Sequence, residues 1–435
     1  MTLSFEINEI PFPDFPDASY VVKKTFTDER YHTDIQDTID ECARHGGGTV
    51  HVPAGDWYSK SIHLKSNIHL QMADGAVIVF SPLPEDYLPA VFTRWEGMEC
   101  YNYSPLIYAN DCENIAITGQ GLLKGNGAFW WHWKNNQQTA ATELVYAESQ
   151  KIPVSQRVYA TRKAALRPSF LQTINCQNIW LSDFTIADGP QWMIHPVYCE
   201  NMRIQNVHVK SQGPNTDGLN PDSCKNVQID SCYFSTGDDC IAINSGMNED
   251  GWRVNRPSEN IVISNCRMVG GHGGVVIGSG MSGGVKNVAI KNCQIHETHQ
   301  GIRLKSMRGR GGYVKNIWIE QIQMSRISRE AIQINMYYGL STVPPLTKTP
   351  PEFENIYIDT VMGNHLDLGI ELIGLPEKPL KNIQLSNIQL ETERSIVSKD
   401  LNGLSLSNVI ISERGREGCE WKNVTGLRME NFIIN

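Results

Sequence analysis

Residues 287–295 read Asn-Val-Ala-Ile-Lys-Asn-Cys-Gln-Ile, an asparagine followed by two short stretches in which aliphatic residues alternate with others. The first half of this stretch, asparagine–aliphatic–any residue–aliphatic, recurs along the chain at Asn67, Asn114, Asn178, Asn201, Asn226, Asn260, Asn287, Asn316, Asn355 and Asn382. Degenerate copies carry glycine in place of asparagine, at Gly403 and Gly426. Alternation with a period of two is typical of short, half-buried β-strands. The pattern therefore predicts an all-β chain of repeated short strands.

The spacing of the copies indicates how these strands are arranged. Neighbouring asparagines are separated by 23 residues (178 to 201), 25 (201 to 226), 27 (260 to 287) and 29 (287 to 316). A period in the twenties, made of short strands and turns, is typical of a solenoid whose coils stack their strands in parallel. The alternative is an ordinary β-sandwich with chance Asn-Ile pairs, and ten copies in phase disfavour it.

The repeated asparagine has a physical role in such a coil. Asparagine tolerates the left-handed backbone region and bonds its neighbouring backbone, so it can bend the chain from one strand to the next. Stacked in successive coils, the side-chain amides can also bond one another in a ladder. We therefore expect a left-handed bend and an amide ladder at these positions.

The cysteines follow the same register. The chain has 11 cysteines and no metal-type Cys-x-x-Cys pair. Seven of them lie either two residues before or six residues after a repeat asparagine: Cys112, Cys176, Cys199 and Cys224, then Cys232, Cys266 and Cys293. Thiols that pack as small hydrophobic side chains in a stacked core explain this phase better than disulfides or metal ligands do. This usage is consistent with a reducing compartment.

The ends of a solenoid would expose unpaired strand edges. Thr33 to Arg44 is predicted to be a helix that caps the first end, because Ile35, Ile39 and Cys42 recur at helical intervals and Gly46 follows as a stop. Thr33 and Gln36 have the spacing of a capping box. Residues 1–46 are thus an N-terminal segment with a capping helix, residues 47–435 are coils with loop insertions, and the whole chain 1–435 is one domain. The tail after Gly415 is expected to cover the second end.

Two gaps between copies exceed the period. The gap from Asn114 to Asn178 contains the aromatic run 129–133 and a polar stretch, and the gap from Asn316 to Asn355 contains Tyr337, Tyr338 and a proline-rich loop. Long insertions in a solenoid leave the coils as loops, often on the binding face. The aromatic run fits either a sugar-stacking platform or a hydrophobic plug that fixes the loop.

Composition limits the function classes. The 435 residues are 40% hydrophobic and 20% charged, an ordinary composition for a soluble globular protein. The net charge of −9 argues against a nucleic acid or an anionic membrane as partner. The chain has no apolar run near the length of a membrane span, and its start lacks the pattern of a secretory signal. We expect a cytoplasmic protein, or a secreted one if a leader has been trimmed.

Four short motifs contain charged or titratable residues that could catalyse a reaction or bind a substrate. They are 215–218 (Asn-Thr-Asp-Gly), 237–240 (Gly-Asp-Asp-Cys), 271–273 (Gly-His-Gly) and 303–305 (Arg-Leu-Lys). Asp217 and Arg303 each lie 16 residues after a repeat asparagine, and Asp238 and His272 each lie 12 after one. Residues at one phase stack on one face of a solenoid. Singly, each motif could be a solvated turn or a structural residue. Together, carboxylates beside fixed cations suit acid–base chemistry on an anionic substrate.

These four motifs, in this order on a parallel β-helix, resemble glycoside hydrolase family 28, the polygalacturonases. Residues 216–246 and 270–288 look most like the bacterial exo-acting members. The resemblance implies a right-handed, single-stranded parallel β-helix of the pectin-lyase-like type. It also implies hydrolysis of α-1,4-galacturonosidic bonds in oligogalacturonides or pectin with inversion at the anomeric carbon, without a metal or other cofactor.

The resemblance also implies roles for individual residues. Asp238 matches the general acid, Asp217 and Asp239 match the residues that hold the attacking water, and His272 would tune the protonation of the acid. Residues that match or are expected to join the substrate-binding positions are Asn215, His195, Arg303, Lys305 and one of Tyr337 and Tyr338. Inverting glycosidases hold their acid and base roughly 6.5–9.5 Å apart to admit a water, and we expect that separation here.

Three other functions remain open at this point. A hydrolase of rhamnogalacturonan or xylogalacturonan is disfavoured, because such relatives usually lack the histidine and the Arg-x-Lys pair. A non-catalytic, polysaccharide-binding β-helix would not be expected to cluster acids at matched phases. A calcium-dependent lyase would need a basic residue as its catalytic base beside a carboxylate calcium site. The long insertion after Asn114 is expected to close one side of the groove, which favours exo-action that releases galacturonate.

Overall fold

The computed structural model describes residues 5–25, 28–339, 346–415 and 417–435. These residues form two compact units, which are described separately. The N-terminal unit is Asn8–Asp238, and the C-terminal unit is Asp239–Asn435 together with residues 5–7. The proposed single domain over residues 1–435 stays a prediction. Part of the proline-rich loop, residues 340–345, lies outside the described residues.

The N-terminal unit is built mostly of strands. Its strands are β1 Ser19–Val21, β2 Gly48–Val52, β3 Gly55–Ser59, β4 Ile62–His63, β5 Ile68–Met72, β6 Ala76–Phe80, β7 Val91–Trp95, β8 Met98–Asn102, β9 Ile107–Asn110, β10 Glu113–Thr118, β11 Leu122–Lys124, β12 Leu171–Ile174, β13 Gln177–Ser182, β14 Thr185–Ala187, β15 Ile194–Val197, β16 Glu200–Gln205, β17 His208–Ser211, β18 Lys225–Asp230 and β19 Tyr233–Thr236. Its helices are α1 Asp34–Arg44, α2 Ala128–Trp131 and α3 Gln138–Ser149, with 3-10 turns at Pro84–Tyr87, His132–Asn135 and Val154–Gln156.

These strands stack into three parallel ladders. The first ladder is β1-β2-β5-β10-β13-β16-β18. The second is β3-β6-β11-β14-β17-β19, and the third is β4-β9-β12-β15. Successive strands along the chain visit the ladders in turn, so the unit consists of stacked coils, as the repeat predicts. Only the β7–β8 hairpin, among the strands described in this unit, pairs antiparallel.

The C-terminal unit continues the same pattern with longer strands. Its elements are β20 Ile241–Ile243, α4 Asn248–Val254, β21 Ser258–Ser264, β22 Arg267–Val269, β23 Gly273–Ile277, β24 Val285–His296, β25 Gln300–Lys305, β26 Tyr313–Asn335, β27 Glu352–Ile373, β28 Leu380–Glu413 and β29 Cys419–Ile434. Parallel pairing links β21-β24-β26-β27-β28-β29 and, on another side, β20-β23-β25-β26. The longest strands turn coil corners without a break, because single residues such as Gln321 and Arg326 take a left-handed backbone.

The asparagine prediction is confirmed in both respects. Every repeat asparagine has a positive φ, between 49° and 60°. In the N-terminal unit, each side-chain amide donates to the amide oxygen of the preceding copy at 2.9–3.3 Å, from Asn114 to Asn67, Asn178 to Asn114, Asn201 to Asn178 and Asn226 to Asn201. In the C-terminal unit the same bonds run at 2.7–3.2 Å from Asn287 to Asn260, Asn316 to Asn287, Asn355 to Asn316 and Asn382 to Asn355.

The cysteine prediction also holds. All 11 cysteines are free thiols, and six of the seven in register are buried, with Cys112 partly exposed. Their sulfurs donate to backbone carbonyls of their own or the preceding coil, as Cys224 does to Pro196 at 3.3 Å. They act as small core side chains whose weak donors bond within the coil.

Helix α1 caps the first coil as predicted. It packs on β2, β4 and β5, and it buries Ile35, Ile39 and Cys42. The predicted capping box does not form, because Thr33 makes no side-chain bond to the backbone and instead donates to Asp37 at 2.9 Å. Gln36 bonds the backbone of His63 instead, which ties the helix to the strand beneath it.

The C-terminal tail, which was expected to cover the second end of the solenoid, is itself a strand. The tail forms strand β29, which pairs in parallel with β28 along most of its length. Gly426 supplies the left-handed bend (φ 65°) in the degenerate repeat, so the tail can continue as one more coil. None of the helices within the described ranges is long and apolar enough to cross a lipid bilayer.

The ladder makes a prediction for stability. Asn201 both donates to Asn178 and accepts from Asn226, so Asn201→Gly removes two hydrogen bonds of about 1 kcal/mol each. Asn201→Ala additionally forces alanine into the left-handed region, at roughly 1–2 kcal/mol. We expect the apparent unfolding temperature, followed by circular dichroism, to fall for Asn201→Gly and to fall further for Asn201→Ala.

The matched control is Asn136→Ala, an exposed asparagine with an ordinary negative φ of −100°. This variant should unfold at the wild-type temperature. Equal unfolding of both Asn201 variants would contradict the role of the backbone bend, and wild-type stability in both would contradict the ladder itself.

Candidate active site

Two of the predicted catalytic carboxylates follow neighbouring strands of the second ladder in the N-terminal unit. Strands β17 and β19 pair in parallel, and Ser211 at the end of one faces Thr236 at the end of the other. Asp217 and Asp238 lie in the segments that follow. A carboxylate oxygen of Asp217 lies within 4.8 Å of one of Asp238. The repeat phases predicted this convergence on one face.

The separation of these two groups corrects one expectation. A spacing within 4.8 Å is shorter than the roughly 6.5–9.5 Å expected for an inverting pair. That rule describes an acid and a base on opposite faces of a sugar ring. Asp217 and Asp238 follow neighbouring strands of one ladder, so the expected separation does not hold for the nearest oxygens of this pair.

The motif 215–218 is held by its own side chains. Asp217 is 5% exposed and accepts a hydrogen bond from the Asn220 amide at 3.1 Å. The Thr216 hydroxyl closes the turn by donating to the Ser211 and Gly213 carbonyls. Asn215 has φ 56° and directs its amide nitrogen at the Asp238 carboxylate, at 3.5 Å. The sequence predicted Asn215 as a substrate contact, and the structure places its amide nitrogen on the general-acid candidate.

Arg167 is a site residue that sequence reasoning missed. Its guanidinium is fully buried and donates to the Asn215 amide oxygen at 2.8 Å and to the Pro214 carbonyl at 2.7 Å. Further bonds go to the Pro190 carbonyl and to Gln137, both at 3.0 Å. Arg167 lies in the long gap between repeat copies, where no periodic signal marks it. Burial lowers the pKa of Arg167 to about 10, so it stays charged at neutral pH.

In the C-terminal unit, Asp239 and Lys305 form a buried ion pair. Lys305 Nζ donates to Asp239 Oδ2 at 2.8 Å, and the side chains are 8% and 3% exposed. Burial acts to lower the pKa of Lys305, but the Asp239 carboxylate outweighs it and the pKa is raised. Sequence reasoning assigned Lys305 to the substrate alone. The structure shows that its ammonium also compensates the charge of a catalytic candidate.

Arg303 occupies the same strand, β25, with its side chain partly exposed. Its Nε donates to Gln333 at 2.8 Å, and Gln333 in turn donates to Glu371 at 2.9 Å. The ring of Tyr338 lies 5.4 Å from the Arg303 guanidinium and 4.9 Å from Lys305 Nζ. Tyr337 instead faces Arg308 and Lys399. The structure therefore brings Tyr338, and not Tyr337, to the two predicted substrate-binding cations.

The two predicted histidines have different surroundings. His272 directly precedes β23, is exposed, and stacks on His299 with ring centroids 5.0 Å apart. His195 is 0% exposed, and its Nδ1 accepts from Gln172 at 2.8 Å while its Nε2 faces Asp222 at 3.4 Å. Burial lowers the pKa of His195, which favours the neutral ring. The ring of His195 is enclosed and both of its nitrogens are engaged, a geometry that fits a structural role, and its role in substrate binding stays a prediction.

The aromatic run of the long insertion is mainly a plug. Trp130 and Trp133 are buried, pack against each other at 5.0 Å, and contact Tyr87 and Tyr103. Trp131 lies against Gly213, where an added Cβ would come within 2.2 Å of the indole. The insertion is thus anchored on the coil immediately before Pro214 and Asn215.

Carboxylates that approach each other after neighbouring strands, in a unit built of stacked parallel coils, are the features of a β-solenoid enzyme with acid–base residues. The sequence model of the glycosyl hydrolases family 28 matches residues 42–405, most of the chain. The protein therefore belongs to glycosyl hydrolases family 28.

Individual relatives agree with this membership. An exopolygalacturonase of Thermotoga maritima, described as hyperthermoactive, is 36% identical, with a TM-score of 0.88 over 92% of this chain and 93% of that one. The exo-poly-alpha-D-galacturonosidase of Dickeya chrysanthemi is 26% identical over 429 residues, 89% of this chain and 69% of the relative. A probable polygalacturonase of Vitis vinifera is 28% identical over 373 residues, 82% and 70% of the two chains.

Two predictions are confirmed by these comparisons. The fold is a right-handed parallel β-helix of the kind found in polygalacturonases, and the protein is a glycoside hydrolase. The resemblance read from the four motifs is confirmed at the level of the family.

The buried ion pair predicts an effect of Lys305 on stability as well as on activity. Lys305→Met leaves the Asp239 carboxylate buried without its partner, which costs about 3–5 kcal/mol. We expect a lower unfolding temperature, a lower kcat and a higher KM on polygalacturonate. A rise in KM alone, with wild-type kcat and stability, would restrict Lys305 to substrate binding.

The pH dependence gives a second check. Because the pKa of Lys305 is raised above its ordinary value of 10.5, its stabilisation is present below that pH and is lost as pH rises through the raised pKa. In alkaline buffer, the wild type should lose the part of its unfolding free energy that the charged Lys305 contributes. Lys305→Met has no such contribution to lose. Lys315→Met serves as the control, because Lys315 pairs with Glu352 and Glu354 on the surface, where such pairs contribute about 0–1 kcal/mol.

Proposed function

We propose that this protein is an exo-acting polygalacturonase that removes galacturonate from the non-reducing end of oligogalacturonides, with inversion. The observation that carries the proposal is the anchoring of the long insertion on the catalytic segment. Trp131 packs on Gly213, and Arg167 binds the Pro214 carbonyl and the Asn215 side chain. The exo-acting relatives from Thermotoga maritima and Dickeya chrysanthemi support it.

The position of the β7–β8 hairpin is a second observation that supports exo-action. It covers the outer face of the third ladder, where Tyr108 of β9 donates to the Phe92 carbonyl at 2.7 Å. Gln172 of β12 donates to the Arg94 carbonyl at 3.0 Å. A groove open at both ends would admit a polymer, whereas a groove covered on one side has room only for a chain terminus.

The chemistry assigns complementary roles to the three aspartates. Asp238, half-buried, donates its proton to the glycosidic oxygen as the bond to the anomeric carbon breaks. Asp217 and Asp239 hold a water and take its proton as the water oxygen bonds to that carbon from the opposite face. The buried ammonium of Lys305 compensates the charge of Asp239. Crowding of carboxylates favours keeping one protonated, as a general acid requires, and His272 tunes that protonation.

The substrate is anionic, and the cations of β25 match it. Arg303 uses its Nε on Gln333, and its terminal guanidinium nitrogens suit the carboxylate of a galacturonate unit. Tyr338 lies beside both cations and offers a ring face and a hydroxyl to the sugar. We also propose that the enzyme works in the cytoplasm, which its eleven free cysteines support.

The acid–base roles predict large losses of turnover. Asp217→Asn, Asp238→Asn and Asp239→Asn should each lower kcat by at least about a hundredfold, because each removes one part of general acid–base catalysis. Circular dichroism should show intact folding. Asp74→Asn, at an exposed aspartate in a turn of the N-terminal unit, is the matched control and should keep wild-type turnover. Near-normal turnover in Asp238→Asn would exclude that residue as the acid.

Product analysis tests the mode of attack. Mass spectrometry of digests should show galacturonate as the first product from oligogalacturonides, and the viscosity of polygalacturonate should fall slowly relative to reducing ends released. A rapid fall in viscosity with mixed oligomers would contradict exo-action. Proton NMR during the first turnovers should detect β-galacturonate from the α-linked substrate, and an initial α-anomer would contradict inversion. Activity should also persist in EDTA, since a calcium-dependent lyase would lose it.

A further inference from the structure

The tip of the β7–β8 hairpin carries an acidic residue in an unusual backbone conformation. Strand β7 ends at Trp95 and strand β8 begins at Met98. The two residues between them are Glu96, with φ 44°, and Gly97, with φ 88°. Glycine suits this region, but glutamate there costs roughly 1–2 kcal/mol. Such strain persists where the surrounding structure fixes it, and it concentrates at functional sites.

Hydrogen bonds on both sides of the tip fix its position. Arg94 forms a buried ion pair with Asp222 at 3.0 Å and donates through Nε to the Gly97 carbonyl at 3.1 Å. The Trp95 indole donates to the Arg167 carbonyl at 3.2 Å. Arg167 is the residue whose side chain holds Asn215, and Asn215 faces Asp238. The tip is therefore rigidly coupled to the catalytic segment.

The Glu96 side chain is partly exposed, and no protein donor in the described part of the chain bonds its carboxylate. Burial raises the pKa of the Glu96 carboxyl, and the nearby charge of Asp238 raises it further. The positive charges of Lys134 and Arg167 lower it, so Glu96 interacts electrostatically with all three groups. Glu99 on the same hairpin has a different role, because it accepts the Tyr198 hydroxyl at 2.8 Å in the buried interior. Glu96 is the acid of this hairpin that a ligand can reach.

We propose that Glu96 is the residue that recognises the non-reducing end of the substrate, an inference that rests on the proposed exo-action. In an α-1,4-linked chain, the terminal unit alone has a free hydroxyl at C4, and every interior unit carries a glycosidic oxygen there. The Glu96 carboxylate accepts a hydrogen bond from that hydroxyl. An interior unit offers no proton, and the next galacturonate would add a second negative charge beside Glu96 and Asp238.

The chemistry explains why a hydrogen-bond acceptor gives strong discrimination. A site built to bond a hydroxyl leaves its polar group unpaired when the hydroxyl is absent, which reduces kcat/KM far more than a lost apolar contact does. The proposed exo-action thus uses two features of the hairpin: its bulk, which covers the outer face of the third ladder, and its acceptor, which recognises the chain end.

Two substrates separate this role from a structural one. Trigalacturonate has the terminal 4-hydroxyl, and the trimer with a 4,5-unsaturated terminal unit lacks it. The wild type should prefer the saturated trimer by at least about a hundredfold in kcat/KM. Glu96→Gly, which suits the positive φ and removes the acceptor, should bring this preference below about tenfold and should also release digalacturonate. Glu96→Gln keeps an acceptor oxygen and should retain more of the preference than Glu96→Gly does.

Glu143→Gln is the matched control, an exposed glutamate of α3 in the neighbouring insertion, and it should keep the wild-type preference. A wild type that cleaves both trimers equally, or a Glu96→Gly variant that keeps the wild-type preference, would overturn the inference while leaving exo-action intact. A rapid viscosity fall with wild-type enzyme would instead overturn the proposed function itself, so the two failures are distinguishable.

Discussion

The left-handed asparagine with its amide in a ladder is the interaction on which the rest of this structure depends. The bend fixes where one strand ends and the next begins, and the amide bonds hold neighbouring coils in register. With register fixed, residues at one phase of the repeat must stack at the strand spacing. The catalytic carboxylates of Asp217 and Asp238 come together because they follow β17 and β19, which are paired neighbours of one ladder.

Buried charge is the second constraint, and the protein meets it with specific partners. Arg167 is fully buried with four hydrogen-bond acceptors, Lys305 is buried against Asp239, and Arg94 is buried against Asp222. Such charges contribute little net stability, but removal of one partner costs several kcal/mol. They are better understood as rigid supports that hold the acidic site in one geometry.

The coils and the insertions have different roles in the proposed function. The coils supply the reacting groups, and the hairpin β7–β8 covers the outer face of the third ladder. The insertion packs through Trp131 on Gly213, in the segment before Asp217. Family membership defines the reaction. In the proposed exo-action, these irregular segments limit access to the catalytic residues to the end of a polymer chain. Loops on a rigid scaffold commonly carry specificity in this way.

The sequence alone determined the coil architecture, the capping helix, the core thiols and the approach of Asp217 to Asp238, because a local backbone preference repeated in phase is visible as a period. It did not determine that Thr33 would leave its capping box open, that His195 would be enclosed, or that Tyr338 would lie by the cations. Nor did it point to Arg167 or to the spacing of Asp217 and Asp238. These depend on contacts between loops and coils far apart in the chain, which follow no period and are decided only when tertiary packing brings the partners together.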